Sequence, residues 1–165
     1  MTPLAGYETD TVVRLEANLD DLSPEIAGAV LGKLLAAGAL DAWFTPIQMK
    51  KNRPGVMLSA LCEEGAASAL ADIFFSETST FGLRLDHVLR LKLERHFETV
   101  ATAYGEITVK VGRKAGRVMH AAPEFESCRV ASERSGQPLK EIYAAALAAW
   151  RAHSGQRPDD PDHEN

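Results

Sequence analysis

Between residues 11 and 93 the apolar side chains repeatedly change period, from every second residue to every third or fourth and back. That succession restricts the chain to a layered mixture of strands and helices. Residues 11–15 read as a strand. Ser23, Pro24 and Glu25 then supply an N-cap, a first-turn proline and an acidic first turn. Ala27, Val30, Leu31, Leu34 and Leu35 recur at helical spacing until Gly38 supplies a stop. Two further strands, 42–49 and 56–62, are joined by a hairpin connection over 50–55, and Pro46 places the first of them at an edge or a bulge. A helix over 64–75 carries Ala67, Leu70, Ile73 and Phe74 on one side. In the strand that follows, over 83–93, Leu89, Leu91 and Leu93 alternate with Arg90, Lys92 and Glu94. The order β-α-β-β-α-β predicts an α+β fold, a ferredoxin-like sandwich with two helices on one face of an antiparallel sheet.

A smaller β-β-β-α-α module is expected after it. Residues 100–103 and 107–111 flank Tyr104 and Gly105 as a hairpin, and a short strand follows over 117–121. Pro123 leads into a helix over 124–135 that Gly136 ends. Pro138 starts a last helix with Leu139, Ile142, Tyr143, Ala146 and Trp150 as its apolar stripe. The expected boundaries are 1–96 for the ferredoxin-like part and 97–153 for the small module. A disordered tail is expected over 154–165, where polar residues with Pro158 and Pro161 have nothing to pack.

Composition narrows the function classes. With 45% apolar residues the chain can bury a core, yet no stretch approaches the roughly 20 apolar residues of a membrane span. No basic and then apolar leader begins it, so a cytoplasmic protein without a membrane partner is expected. A net charge of -5 argues against a nucleic-acid partner. Aromatic residues, at 7%, are also too few for a sheet platform that stacks RNA bases. Cys62 and Cys128 form no CxxC pair, the histidines fall at no ligand spacing, and the chain has no self-sufficient nickel site.

Four segments bear chemistry. Asn18, Asp20 and Asp21 stand between a strand end and a helix start. Such a loop suits magnesium or manganese held with substrate phosphates, and equally suits plain complementation of the helix dipole. Lys50, Lys51 and Arg53 crowd a hairpin tip, either to converge on a triphosphate or to keep an edge solvated. Thr78, Ser79 and Thr80 precede Gly82 and Arg84. Their hydroxyls suit phosphate or ribose, and also the stray backbone groups of a helix end. Glu124 and Glu126 open a helix after the basic turn 113–117, as anion or metal neighbours or as dipole partners. In an ideal ferredoxin-like fold the turns at 18–23 and 76–82 are not expected to share a corner, so joint use would require a long loop or an oligomer.

Taken together, the stretches 15–25, 38–55, 75–84 and 120–128 resemble the C-terminal half of the LarC family, over nearly all of residues 11–150. The resemblance implies nickel insertion into pyridinium-3,5-bisthiocarboxylic acid mononucleotide, which yields the nickel-pincer cofactor of lactate racemase. It implies a CTP-dependent cyclometallase, of the lyase class, with CTP and its Mn2+ or Mg2+ bound in this half and Ni2+ as the inserted metal. Carried onto this chain, the metal falls to Asp20 and Asp21, and those two with Lys50 are the catalytic candidates. Asn18, Lys50, Lys51, Arg53, Thr78, Ser79, Thr80, Arg84, Glu124 and Glu126 are the nucleotide-binding candidates. The family's N-terminal half has no counterpart here, so the chain is read as a truncated piece or one half of a split protein. An N-terminal LarC half, the pyridinium mononucleotide and a homo-oligomer are its expected partners, and complete nickel insertion by the chain alone is not expected. The competing reading is a ferredoxin-like regulatory module that binds a small ligand without catalysis; release of pyrophosphate from CTP separates the two.

Overall fold

The computed structural model describes residues 5–155. The described residues divide into two compact units, one comprising Thr9–Leu91 and the other residues 92–155 together with 5–8.

The first unit holds β1 (Glu8–Leu19), α1 (Pro24–Ala36), β2 (Asp41–Met49), β3 (Arg53–Cys62), α2 (Ala67–Glu77) and β4 (Arg84–Lys92), in a four-stranded sheet of order β2-β3-β1-β4. This is the ferredoxin-like arrangement. β3 runs antiparallel to both of its neighbours, with Leu15 opposite Ala60 and Phe44 opposite Leu58. Ladder-like side-chain contacts give the sense of β4 against β1. Asp10 meets Arg90 at 2.7 Å, Arg14 meets Asp86 at 3.1 Å and Asn18 meets Arg84 at 2.8 Å, so the two strands run in opposite directions. Pro46 lies on β2, an edge strand, where a missing N–H donor disrupts no inner ladder.

Alternation along β1 turns Val13, Leu15, Ala17 and Leu19 toward the helices, where they join Leu58, Ala60 and Cys62 of β3, Val30 and Leu34 of α1, and Leu70 and Phe74 of α2. Each fully buried large side chain contributes about 1.5–3 kcal/mol. Ser23 caps α1, its Oγ accepting from the Ile26 N–H at 3.3 Å, and Pro24 occupies the first turn. β1 runs four residues beyond the expected end at Leu15, because Glu16 and Asn18 simply continue its outward face. The hairpin connection contracts from the expected 50–55 to Lys50–Asn52, a tight turn with Lys51 and Asn52 at positive φ.

The second unit is a meander of β5 (Glu94–Thr102), β6 (Gly105–Lys114) and β7 (Arg117–Pro123), followed by α3 (Phe125–Ser135) and α4 (Leu139–Ser154). Val100, Ile107, Val109 and Val111 pack against Cys128, Ala131, Ile142, Ala146 and Trp150. β5 starts at Glu94, six residues before the expected strand. Its inward position 98 is a glutamate, to which Trp150 Nε1 donates at 2.8 Å, so no apolar alternation marks this stretch. The tail expected from residue 154 falls on 156–165, outside the described residues, except that Ser154 and Gly155 complete and cap α4.

Candidate functional site

β1 lies antiparallel to both β3 and β4, so its C-terminal end shares one end of the sheet with the β2–β3 turn and the start of β4. The expectation that the turns at 18–23 and 76–82 would not share a corner is therefore overturned. Neighbouring antiparallel strands put the end of one beside the start of the next, and neither a long loop nor an oligomer is needed.

Side chains from the three segments interlock there. Arg53 Nη1 donates to Asp20 Oδ2 at 3.1 Å, the Ser79 hydroxyl donates to Asp21 Oδ1, and Arg84 Nη2 donates to Asn18 Oδ1 at 2.8 Å. Glu16 Oε2 lies 3.6 Å from Arg84 Nε and anchors the guanidinium from below. Gly55 lets the hairpin approach: a Cβ at this position would lie 2.7 Å from the Leu19 carbonyl oxygen and 2.8 Å from Met49 Sδ. Lys50 and Lys51 are exposed at the tip. Thr78 and Thr80 have local duties, with the Thr78 hydroxyl donating to the Phe74 carbonyl at 2.6 Å and that of Thr80 to the Gly82 carbonyl at 2.6 Å. Neither Asp20 nor Asp21 caps α1; Ser23 holds that position and Glu25 is the acidic residue of the first turn.

The donor set is hard oxygen: two carboxylates, an amide oxygen and hydroxyls, the ligand chemistry of Mg2+ or Mn2+. Among the described residues no group of three or more His, Cys, Asp or Glu stands ready to hold a metal alone, so an ion at the corner needs oxygens from a ligand as well. Cys62 and Cys128 are buried, and desolvation pushes both thiols up, away from the thiolate that soft metals require. Glu124 and Glu126 belong to the other unit. Glu124 pairs with Lys110 at 2.8 Å, and Arg129 donates to Glu126 at 2.9 Å, holding its carboxyl below the usual range. Glu16 was missed because its chemistry hides in an alternating strand; the half-buried outward carboxylate is visible only once β4 brings Arg84 over it.

By fold the chain is a two-unit α+β protein whose ferredoxin-like unit carries a corner of paired carboxylates and cations. Its family is set by sequence: residues 2–143 match the family model described as nickel insertion protein, and the chain belongs to that family. A Myxococcus xanthus relative, named as a candidate nickel insertion protein, is 50% identical over 135 residues, which is 82% of this chain and 35% of that protein. The pyridinium-3,5-bisthiocarboxylic acid mononucleotide nickel insertion protein of Thermotoga sp. strain RQ2 is 40% identical over 133 residues, 81% of this chain and 33% of that one. The chain thus spans about a third of the length of these relatives. Its fold is similar to that of LarC2, the C-terminal domain of a cyclometallase involved in synthesis of the NPN cofactor of lactate racemase. That similarity has a TM-score of 0.80 and 40% identity, and covers 87% of this chain and 99% of that one. A protein from Methanopyrus kandleri is also similar, with TM-score 0.63 and 27% identity over 87% of this chain and 91% of that one. No helix among the described residues is long and apolar enough to cross a membrane.

Proposed function

We propose that this chain is the metal–nucleotide-binding portion of a CTP-dependent nickel insertase acting on pyridinium-3,5-bisthiocarboxylic acid mononucleotide, with nickel as the metal cargo. The observation that carries this reading is the convergence of Asp20, Asp21, Arg53 and Ser79 at one end of the sheet, in a chain of the nickel insertion family. The Asp20–Arg53 pair is exposed on the arginine side, so the intramolecular bond is weak, in the range of about 0–1 kcal/mol. A metal–triphosphate can exchange it at little cost: Asp20 and Asp21 turn to the divalent ion, while Arg53, Lys50 and Lys51 turn to the phosphate oxygens. Arginine suits such oxygens as a planar fork and lysine as a point charge. Thr78 and Thr80 shape the loop through their backbone bonds and leave Ser79 and Arg84 as the contacts nearest the nucleotide. CTP, when bound, would supply an activated α-phosphate, through which CMP joins the substrate as the α–β anhydride bond breaks and pyrophosphate leaves, chemistry that asks the protein mainly for positioning and cations. Glu124 and Glu126 lie in the other unit, where they pair with Lys110 and Arg129, and the proposed site is built without them.

The test is calorimetric titration of CTP with and without Mn2+ into the chain and its Lys50→Ala, Lys51→Ala and Arg53→Ala variants, alongside an assay for pyrophosphate. Each lost phosphate contact should weaken binding by about 1.5–3 kcal/mol. Unchanged affinity in all three variants rejects the site, and binding without any pyrophosphate release favours a regulatory module.

A further inference from the structure

The face of the three-stranded sheet opposite α3 and α4 carries a second group of basic side chains. Strand pairing sets Arg95 of β5 and His120 of β7 on either side of Gly112 in β6. Alternation returns Lys110 to the same face two residues away. With Lys92 and Leu93 beside them, these residues line an open cavity of about 260 Å³. Gly112 forms its floor, and with no side chain there Leu93 lies close over the strand: a Cβ at 112 would sit 2.9 Å from Leu93 Cδ1. The walls are therefore aliphatic stems and the rim is basic. Lys110 is engaged by Glu124 at 2.8 Å, whereas Arg95 has no ion-pair partner among the described residues. Phe97 pairs across the strands with Lys110 on the same face, two residues on from Arg95, and is 63% exposed.

An apolar floor, a basic rim and an adjacent exposed ring together suit a planar ring bearing an anionic group. A bare anion would have no use for the floor, and an uncharged ring none for the rim. We infer that this face binds an aromatic anion of mononucleotide size, its ring against Leu93 and Phe97 and its phosphate or carboxylate between Arg95 and His120. The site lies wholly in the second unit and shares no residue with the Asp20–Arg53 corner. If the function proposed above holds, it is where the pyridinium mononucleotide docks while CTP occupies the corner; only the ligand's identity rests on that reading.

Nicotinate mononucleotide, a pyridinium mononucleotide with a ring carboxylate, is the probe, titrated into the full chain and its Arg95→Ala, Arg95→Lys and Phe97→Ala variants. Arg95→Ala should weaken binding at least tenfold, Arg95→Lys should restore part of it, and Phe97→Ala should weaken it severalfold. Mn-CTP affinity should remain unchanged in all of them. Pyridine-3,5-dicarboxylate and nicotinamide mononucleotide identify the recognised anion, since the one lacks phosphate and the other the ring carboxylate. Equal probe affinity in wild type, Arg95→Ala and Phe97→Ala overturns the inference, as does a parallel loss of Mn-CTP binding in Arg95→Ala. If the probe binds through Arg95 while Mn-CTP does not bind at all, the proposed function fails and this site stands.

Discussion

Asp20 and Asp21 directly follow β1 and precede the cap of α1, yet their partners come from elsewhere, Arg53 for one and Ser79 for the other. Under the proposed function, stability and ligand binding fall to different residues of one short loop. Ser23→Ala should cost about 1 kcal/mol in chemical denaturation and leave Mn-CTP affinity intact, because it removes only the bond to the Ile26 N–H. Asp20→Asn and Asp21→Asn should each shift stability by no more than about 0.5 kcal/mol, as expected of exposed pairs. In the second unit, bonds from His96 and Trp150 hold the Glu98 carboxyl below the ordinary glutamate value. A carboxyl depressed in the folded state contributes stability that is present above its unfolded value and is lost as pH falls through the folded one. Acid denaturation followed by Trp150 fluorescence should therefore show Glu98→Gln losing this acid-side dependence while the wild type keeps it.

At the level of elements, the first unit was legible because its helices and inner strands repeat apolar residues with the right period: Val30 and Leu34 of α1, Leu70 and Phe74 of α2, and Leu58 and Ala60 of β3 all face one core. What escaped were stretches whose inward or outward positions are polar for a structural reason. β5 hides Glu98 under Trp150, and the last turn of pattern in β1 carries Glu16 and Asn18 toward β4. The corner itself was only half legible. Its residues could be named from chemistry and resemblance, but their meeting depends on strand order, which no local pattern records. Gly55 is where an element would serve the proposed site without touching a ligand. Gly55→Ala should strain the hairpin against the Leu19 carbonyl, destabilise the chain by about 1–3 kcal/mol and weaken Mn-CTP binding as Arg53 moves away from Asp20. Phe74→Ala, which empties the core beneath α2, should cost about 3–5 kcal/mol without any specific effect on the ligand beyond stability.

Across the whole chain, two cores support two units, and the hard-oxygen corner belongs entirely to the first. Among the described residues no group of three or more His, Cys, Asp or Glu stands ready for a metal such as nickel, and the chain spans about a third of the length of its relatives. The isolated chain supplied with substrate, Ni2+, Mn2+ and CTP should therefore bind nucleotide but fail to activate lactate racemase at the rate of a full-length nickel insertion protein. Everything turns on whether the corner holds a metal bound to a nucleotide. Calorimetry of CTP with Mn2+ against Asp20→Asn and Asp21→Asn measures this directly. Affinity for Mn-CTP should fall tenfold or more in each variant, roughly 1.4 kcal/mol, while affinity for metal-free CTP holds or improves as a carboxylate facing the phosphates is neutralised. Wild-type affinity for Mn-CTP in both variants would contradict the assignment of metal to this corner.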